Sequence, residues 1–437
     1  MRKTNWSFLG ALAAGAAYAA ARVHAATVSA PVIAPDSFDY ARQSHLPLLS
    51  RAFWGSQHPP LLPLLWKLDP WASSASWPTR FHDVRPLVLL NVAVGVACWL
   101  VLAAAVASLC GRPAIRAAAF AVVLLASLSP DVAGWDAALL SESLALSLTA
   151  LLAAAVVQHL RSPGGPSALA LAAAMVASCA ARDTTLILCL CLVGALVLVV
   201  RQQRALLIAG VALAAAVVVW GNHAADARWK IPARNSMANA ILFHHAGPWF
   251  ARQGMPVTRL TPTLLLDRPT AYFDRDPRAT ALRAWFDRRG RGAWYRYLAA
   301  HPGYAAWPLR ELPAETDGDP APNAAYVEHS AVLQYSPYRH GVVFWLTLAA
   351  ALLAAAYVRT RTVLLLASAT VGAAFVTILA VHNLDPFDVQ RHLIETQLSI
   401  RIVLYGLVLL GIEQLAFAFG AHRLAARRVR TFVSPAS

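Results

Sequence analysis

The sequence predicts an all-α membrane protein, a polytopic bundle of about eight to ten transmembrane helices. Composition, the length of its apolar runs and the placement of its arginines carry that reading. Of 437 residues, 58% are apolar and only 14% charged, with a mean hydropathy of +0.52. Soluble domains carry roughly 45–50% apolar and about 25% charged residues. A hydrocarbon core about 30 Å thick takes around 20 apolar residues per helix, and the chain has many such runs. These runs are long and rich in Ala, Leu and Val, so they read as helices, and no closed barrel is indicated.

The first run, Trp6–Thr27, follows Arg2 and Lys3 and is long enough to remain as a span. The small-residue stretch Val23-His24-Ala25 leaves a cleaved signal peptide as the alternative. Pro86–Cys110 is the second run. Ala117–Leu160 and Ser167–Val200 would each exceed about 50 Å as one helix. Each is therefore expected to be a hairpin of two short spans, broken near Pro130–Asp136 and Arg182–Asp183. Ala205–Asn222, Gly341–Val358, Thr362–Val381 and Ile400–Phe419 complete the set. Two hairpins give about ten spans, and two unbroken helices about eight.

In this arrangement Arg2/Lys3, Arg112/Arg116, Arg161, Arg201/Arg204, Arg359/Arg361 and the tail Arg423–Arg430 share one side. The positive-inside rule makes that side cytoplasmic. Residues 1–222 then form an N-terminal transmembrane module whose first external loop is 28–85. Residues 223–340 form an extracytoplasmic cap, expected to be a small, partly helical, mixed fold. Residues 341–437 return through the membrane to the basic tail. The formal charge of +15 does not indicate a nucleic-acid partner, because the basic residues are dispersed among loops. Cys98, Cys110, Cys179, Cys189 and Cys191 lie in or at the ends of apolar runs and imply no disulfide framework.

Several short motifs fall on the external side. Pro35-Asp36-Ser37-Phe38-Asp39-Tyr40-Ala41 follows the first run, and Trp54-Gly55-Ser56-Gln57-His58-Pro59-Pro60 comes shortly after. Asp131-Val132-Ala133-Gly134-Trp135-Asp136 leads into Leu140-Ser141-Glu142-Ser143-Leu144. Arg182-Asp183-Thr184-Thr185 marks a helix break, and Asp388-Val389-Gln390-Arg391-His392 precedes the last run. An acid just outside a first helix, followed by an aromatic/His-Pro-Pro segment, resembles the first external loop of GT-C-type glycosyltransferases. The protein O-mannosyltransferases and the aminoarabinose transferases of lipid A are of this type. The Ser-Glu pair, the Arg at the break and the Arg391-His392 pair (His where the family has Tyr) extend the resemblance over most of the membrane layout.

The resemblance implies a multi-pass enzyme of the inner (plasma) membrane with its site on the extracytoplasmic face. It would transfer sugar from a polyprenyl-phosphate-linked donor to a glycan, lipid or protein acceptor. Such transfer needs a base for the acceptor proton, and a carboxylate serves. Asp36 is the candidate base, with Asp39 the alternative, while the bland reading of Asp36 is a solvated acid or an N-cap. The leaving phosphate needs positive charge. Arg391 and Arg182 are its candidates, against ordinary interfacial snorkelling. His58, Asp136, Glu142 and His392 are candidate substrate contacts, and a divalent cation is the one cofactor considered. Asp131 also lies at this mouth. Glu142 has the helix dipole as its ordinary explanation.

The cap aromatics Trp249, Trp285, Trp294 and Trp307 suit either sugar stacking or an interfacial belt. His244-His245 resembles a metal pair only superficially. Two rivals remain. An O-antigen ligase or polymerase type of enzyme would use a diphosphate-linked donor. A transporter or flippase would need charge deep in several spans, which are expected to be nearly free of it apart from Glu413.

Overall fold

The computed structural model describes residues 3–56, 58–68, 84–224, 226–266, 273, 276–309, 361–384, 395–403, 405–407, 409 and 411. The expected span Gly341–Val358, the end of Ile400–Phe419 with Glu413, the basic tail, Arg391 and His392 lie outside them, as does the side chain of Asp131. The described residues are helical, with no named strand among them. One isolated parallel bridge joins Val32 to Ala138.

The principal helices are α1 (Lys3–Val28), α2 (Pro35–His45), α3 (Arg85–Leu109), α4 (Pro113–Ser127), α5 (Ser141–Arg161), α6 (Gly165–Ala181), α7 (Thr185–Val199) and α8 (Arg204–Ala224). They continue with α9 (Asp226–His244), α10 (Arg291–Ala300), α11 (Arg361–Leu384) and α12, which is described from residue 395. Proline opens several of them: α2, α3, α4 and α6 each carry Pro in the first turn, where its missing N–H costs nothing. Both long apolar segments break where expected. A short turn over Pro130–Ala137 separates α4 from α5, and Arg182 caps α6 before α7 begins.

Four described helices are long and apolar enough to cross a membrane: α3, α5, most of α8, and Leu365–Asn383 within α11. The first expected span, α1, is helical over its whole length without being one of the four. The hairpin arms α4, α6 and α7 have 15–17 residues, about 23–26 Å at 1.5 Å per residue. The outward surface is apolar. Leu12, Leu89, Val101, Leu169, Leu198, Leu213 and Val219 are all exposed, as side chains facing lipid would be.

Packing runs α1–α3–α4–α5 around one core and α5–α6–α7–α8 around another, with α11 against α7. Small residues set the closest approach. A Cβ on Gly210 of α8 would stand 2.6 Å from the Ala172 Cβ of α6, so no side chain fits there. The described residues between 226 and 309 have a separate core of Phe250, Trp285, Phe286, Trp294 and Tyr297, and this part of the cap is helical rather than mixed. Trp285 and Trp294 are buried in that core and so do not present their faces to sugar, whereas Trp307 is exposed. The cap is tied to α11 where Trp294 Nε1–H donates to the Asn383 carbonyl (2.9 Å) and Asn383 Nδ2 donates to the Ala305 carbonyl (2.9 Å).

Candidate functional site

The buried ion pairs of the described bundle gather at one end of it, where α1 finishes, α5 begins and α6 stops, close to Glu395. Three layers can be traced from the interior outward.

The innermost layer is Arg22 with Asp136, both 0% exposed. Arg22 donates through Nε to Asp136 Oδ2 (2.6 Å) and through Nη2 to Oδ1 (3.0 Å), and through Nη1 to the Tyr18 hydroxyl (2.7 Å). Ser143 donates to Asp136 Oδ1 (2.7 Å), and Asn91 Nδ2 holds the Asp136 and Ala138 carbonyls, each at 3.2 Å. Gly95 makes the space, since a Cβ there would lie 2.6 Å from Arg22 Nη2. The two-point fork satisfies a guanidinium and a carboxylate that would otherwise be costly inside. Asp136, expected at the substrate, is therefore a sealed partner of Arg22. Arg22, six residues before the end of α1 and about 9 Å inside it, is a charge within an expected span in addition to Glu413.

The middle layer is Glu142–Arg182–Glu395. Arg182 donates through Nη2 to Glu142 Oε1 (3.1 Å) and through Nη1 to Glu395 Oε2 (3.0 Å), and all three are buried. Glu142 sits in the first turn of α5, where the helix dipole also favours it. Arg182 holds the break between α6 and α7, and its charge already faces two carboxylates.

The outer layer comes from the segment between α1 and α3. Val32 N–H donates to the Ala137 carbonyl and Leu139 N–H to the Val32 carbonyl, each at 3.0 Å, which anchors the chain before α2. Helix α2 begins at Pro35, so Asp36 is a first-turn residue and not the N-cap. Ser37 takes the end-sealing role: Ala34 N–H donates to its Oγ (3.0 Å), which donates to the Leu139 carbonyl (2.8 Å). Asp36 and Asp39 lie one turn apart, on one side of the helix. The loop that returns through His58 is held by Gln43, whose Nε2 donates to the Phe53 carbonyl (2.8 Å) and the His58 carbonyl (3.3 Å).

His58 stands with its Nε2 3.6 Å from Asp39 Oδ2 and its ring 4.5 Å from that of Tyr40. Arg42 pairs with Asp39. The donor atoms of Asp36, Asp39 and His58 all lie within 4.8 Å of one another. Two carboxylates and an imidazole suit a divalent cation such as Mn²⁺ or Zn²⁺, although Arg42 already offsets the charge of Asp39. Tyr40 links the outer layer to the middle one, since its buried hydroxyl donates to Ser141 Oγ (3.1 Å), next to Glu142. Burial, with Glu142 and Asp36 adding to it, pushes the phenol well above its ordinary value, so Tyr40 remains a donor.

Below the middle layer two cavities share Leu188, Thr370 and Ser399. One is a small pocket lined by Thr184, Thr185, Thr377, Glu395 and Thr396. The other is an apolar cavity of about 200 Å³ between α5, α7, α11 and α12, which extends toward Leu160, Val363 and Leu407.

The structure thus unites Asp36, Asp39 and His58 in one cluster and Glu142 with Arg182 in another. It adds Arg22, Tyr40 and Glu395, which the sequence reading passed over. Arg22 was signalled by a charge within an apolar run, one helical turn after Tyr18. Comparison with protein-family models, with curated proteins and with solved structures finds no match to this chain.

Proposed function

We propose that the chain is an integral-membrane glycosyltransferase of GT-C type, with a polytopic bundle and its site on the extracytoplasmic face of the membrane. Its donor is a sugar carried on polyprenyl phosphate, and its acceptor is an envelope glycan, lipid or protein hydroxyl. One observation supports this most. An apolar cavity inside the bundle meets a hydroxyl-lined pocket at Glu395, and that pocket adjoins the charged layers capped by Asp36, Asp39 and His58. The first accommodates a short stretch of a lipid tail, the second its polar head, and the acceptor approaches from the outer layer.

Asp36 takes the acceptor proton as the hydroxyl oxygen attacks the anomeric carbon. The bond from that carbon to the phosphate oxygen breaks, and the electron pair leaves with polyprenyl phosphate. Asp39 is already engaged by Arg42 and His58, so it orients the cluster more than it accepts the proton. Arg182 meets the leaving phosphate by exchanging one of its two carboxylates for it. A divalent cation held by Asp36, Asp39 and His58 would add positive charge near the reacting oxygens.

The test is transfer from a radiolabelled panel of polyprenyl-phosphate sugars by the purified protein. Transfer from one donor supports the reading. No transfer by folded protein from any of them rejects it, and activity with diphosphate-linked donors instead would identify a ligase-type enzyme. Arg22 and Asp136, charged and internal, favour the transporter rival. Uptake of substrate into sealed vesicles without sugar transfer would establish that rival.

A further inference from the structure

The cap carries more arginine than its folding uses. Several of its described cations are engaged. Arg278 pairs with Asp276 (2.7 Å), Lys230 with Asp287 (2.9 Å), and Arg283 donates to the Asp276 carbonyl (3.0 Å). Arg234 lies over the Phe273 ring at 4.2 Å. Arg252, Arg288, Arg289 and Arg296 line one cleft of about 510 Å³ together with Gln253, Gly254 and Gly292, and Arg288 also donates through Nε to the Ala284 carbonyl (2.8 Å). Among the described residues, no carboxylate pairs with any of these four.

Local structure brings them together. Phe286–Gly290 is a widened π-helical turn, a feature frequent at functional sites. It closes because Gly290 has no Cβ, which would stand 2.7 Å from the Phe286 ring. The turn sends Asp287 to Lys230 while Arg288 and Arg289 face the cleft. Across from them, Gly254 adopts φ +81° in a turn held by Trp285 Nε1–H on the Gln253 carbonyl (3.0 Å). A Cβ at Gly254 would come 3.4 Å from Arg289 Nη1, and one at Gly292 would come 3.7 Å from Arg296 Nη1. The cleft is therefore floored by residues that leave the guanidinium groups uncovered.

We propose that this cleft is an oxyanion-binding site for a ligand bearing two or more neighbouring phosphate or carboxylate groups. Four guanidinium groups lining one cleft, with no carboxylate paired to them among the described residues, repel one another, and a polyanion relieves that repulsion with charge-assisted hydrogen bonds. The volume falls within the roughly 300–1,000 Å³ usual for ligand pockets. The same chemistry is offered by a phosphorylated saccharide in solution and by the headgroups of an anionic lipid. The site stands independently of the transferase reading, and so does its test.

The experiment is calorimetric titration of inorganic tripolyphosphate into the full chain in phosphatidylcholine nanodiscs. Saturable binding is expected, weakened about tenfold or more by Arg288→Ala with Arg289→Ala, since each lost fork removes a strong bond. Arg278→Ala, which removes a paired charge from the same cap, should leave the affinity unchanged. A second arm repeats the titration in phosphatidylglycerol nanodiscs. A lower affinity there means that lipid headgroups compete for the cleft, and an unchanged one means that the cleft serves soluble oxyanions. The proposal is overturned if tripolyphosphate does not bind. It is overturned equally if Arg278→Ala weakens binding as much as the double variant, because net charge alone would then explain the effect.

Discussion

Two clusters of buried charge share one end of the bundle and are balanced differently. Arg22 and Asp136 form a one-to-one pair, closed on every side by Tyr18, Ser143, Asn91 and the vacancy of Gly95. Arg182 faces two carboxylates, Glu142 and Glu395, and borders a pocket through Glu395. A neutral, saturated pair is arranged to hold helices together. An arginine shared between two carboxylates beside a cavity is placed to exchange one of them for a ligand. Under the proposed function, α1, α3 and the Pro130–Ala137 turn are scaffolding, and the junction of α2, α5, α6 and α12 carries the chemistry.

The largest effect that would break this comparison is at the inner pair. Arg22→Ala should destabilise the fold by about 3–5 kcal/mol, because it strands a buried carboxylate. Thermal unfolding in nanodiscs measures the loss, and Arg22→Met with Asp136→Leu should recover most of it. A single variant as stable as the parent would mean that the pair is hydrated and not structural. Next, Gly95→Ala should cost about 1–3 kcal/mol by the same measurement, as its methyl would collide with the guanidinium.

Tyr40→Phe sharpens the outer boundary. It removes one hydrogen bond between α2 and Ser141 and should cost only about 0.5–1.5 kcal/mol. Its signature is faster amide exchange in α2, with the rest of the bundle unchanged. The smallest effect lies in the cap, where burial foremost raises Tyr304 to about 12. A phenol whose folded value exceeds the ordinary 10.0 stabilises fully below pH 10, and that contribution is lost as pH rises toward 12. An unfolding midpoint followed across that range should fall more steeply for the parent than for Tyr304→Phe.

Much of this was legible in the residues. Pro130 and the Arg182-Asp183 pair announce the two helix breaks, because proline and charge interrupt apolar helices locally. Asp36 and Asp39 lie one helical turn apart as expected, whereas the approach of His58 to them depends on the returning loop and was not legible in the spacing. Arg22 was obscured by its Ala-rich surroundings, which read as lipid-facing. Its partner lies 114 residues away, a separation that no local pattern records. Glu395 was hidden likewise, 213 residues from Arg182. Trp285 and Trp294 were ambiguous for another reason: a tryptophan suits a core, an interface or a sugar, and only packing decides among them.

The most direct test measures unfolding midpoint and sugar transfer together for two variants, Arg22→Met/Asp136→Leu and Asp36→Asn. The account predicts that the apolar pair folds and retains transfer. It predicts that Asp36→Asn keeps its midpoint and loses transfer by about a hundredfold or more, the usual worth of a general base. Normal transfer by folded Asp36→Asn, with transfer abolished in a folded apolar-pair variant, would contradict it and move the chemistry to the inner pair.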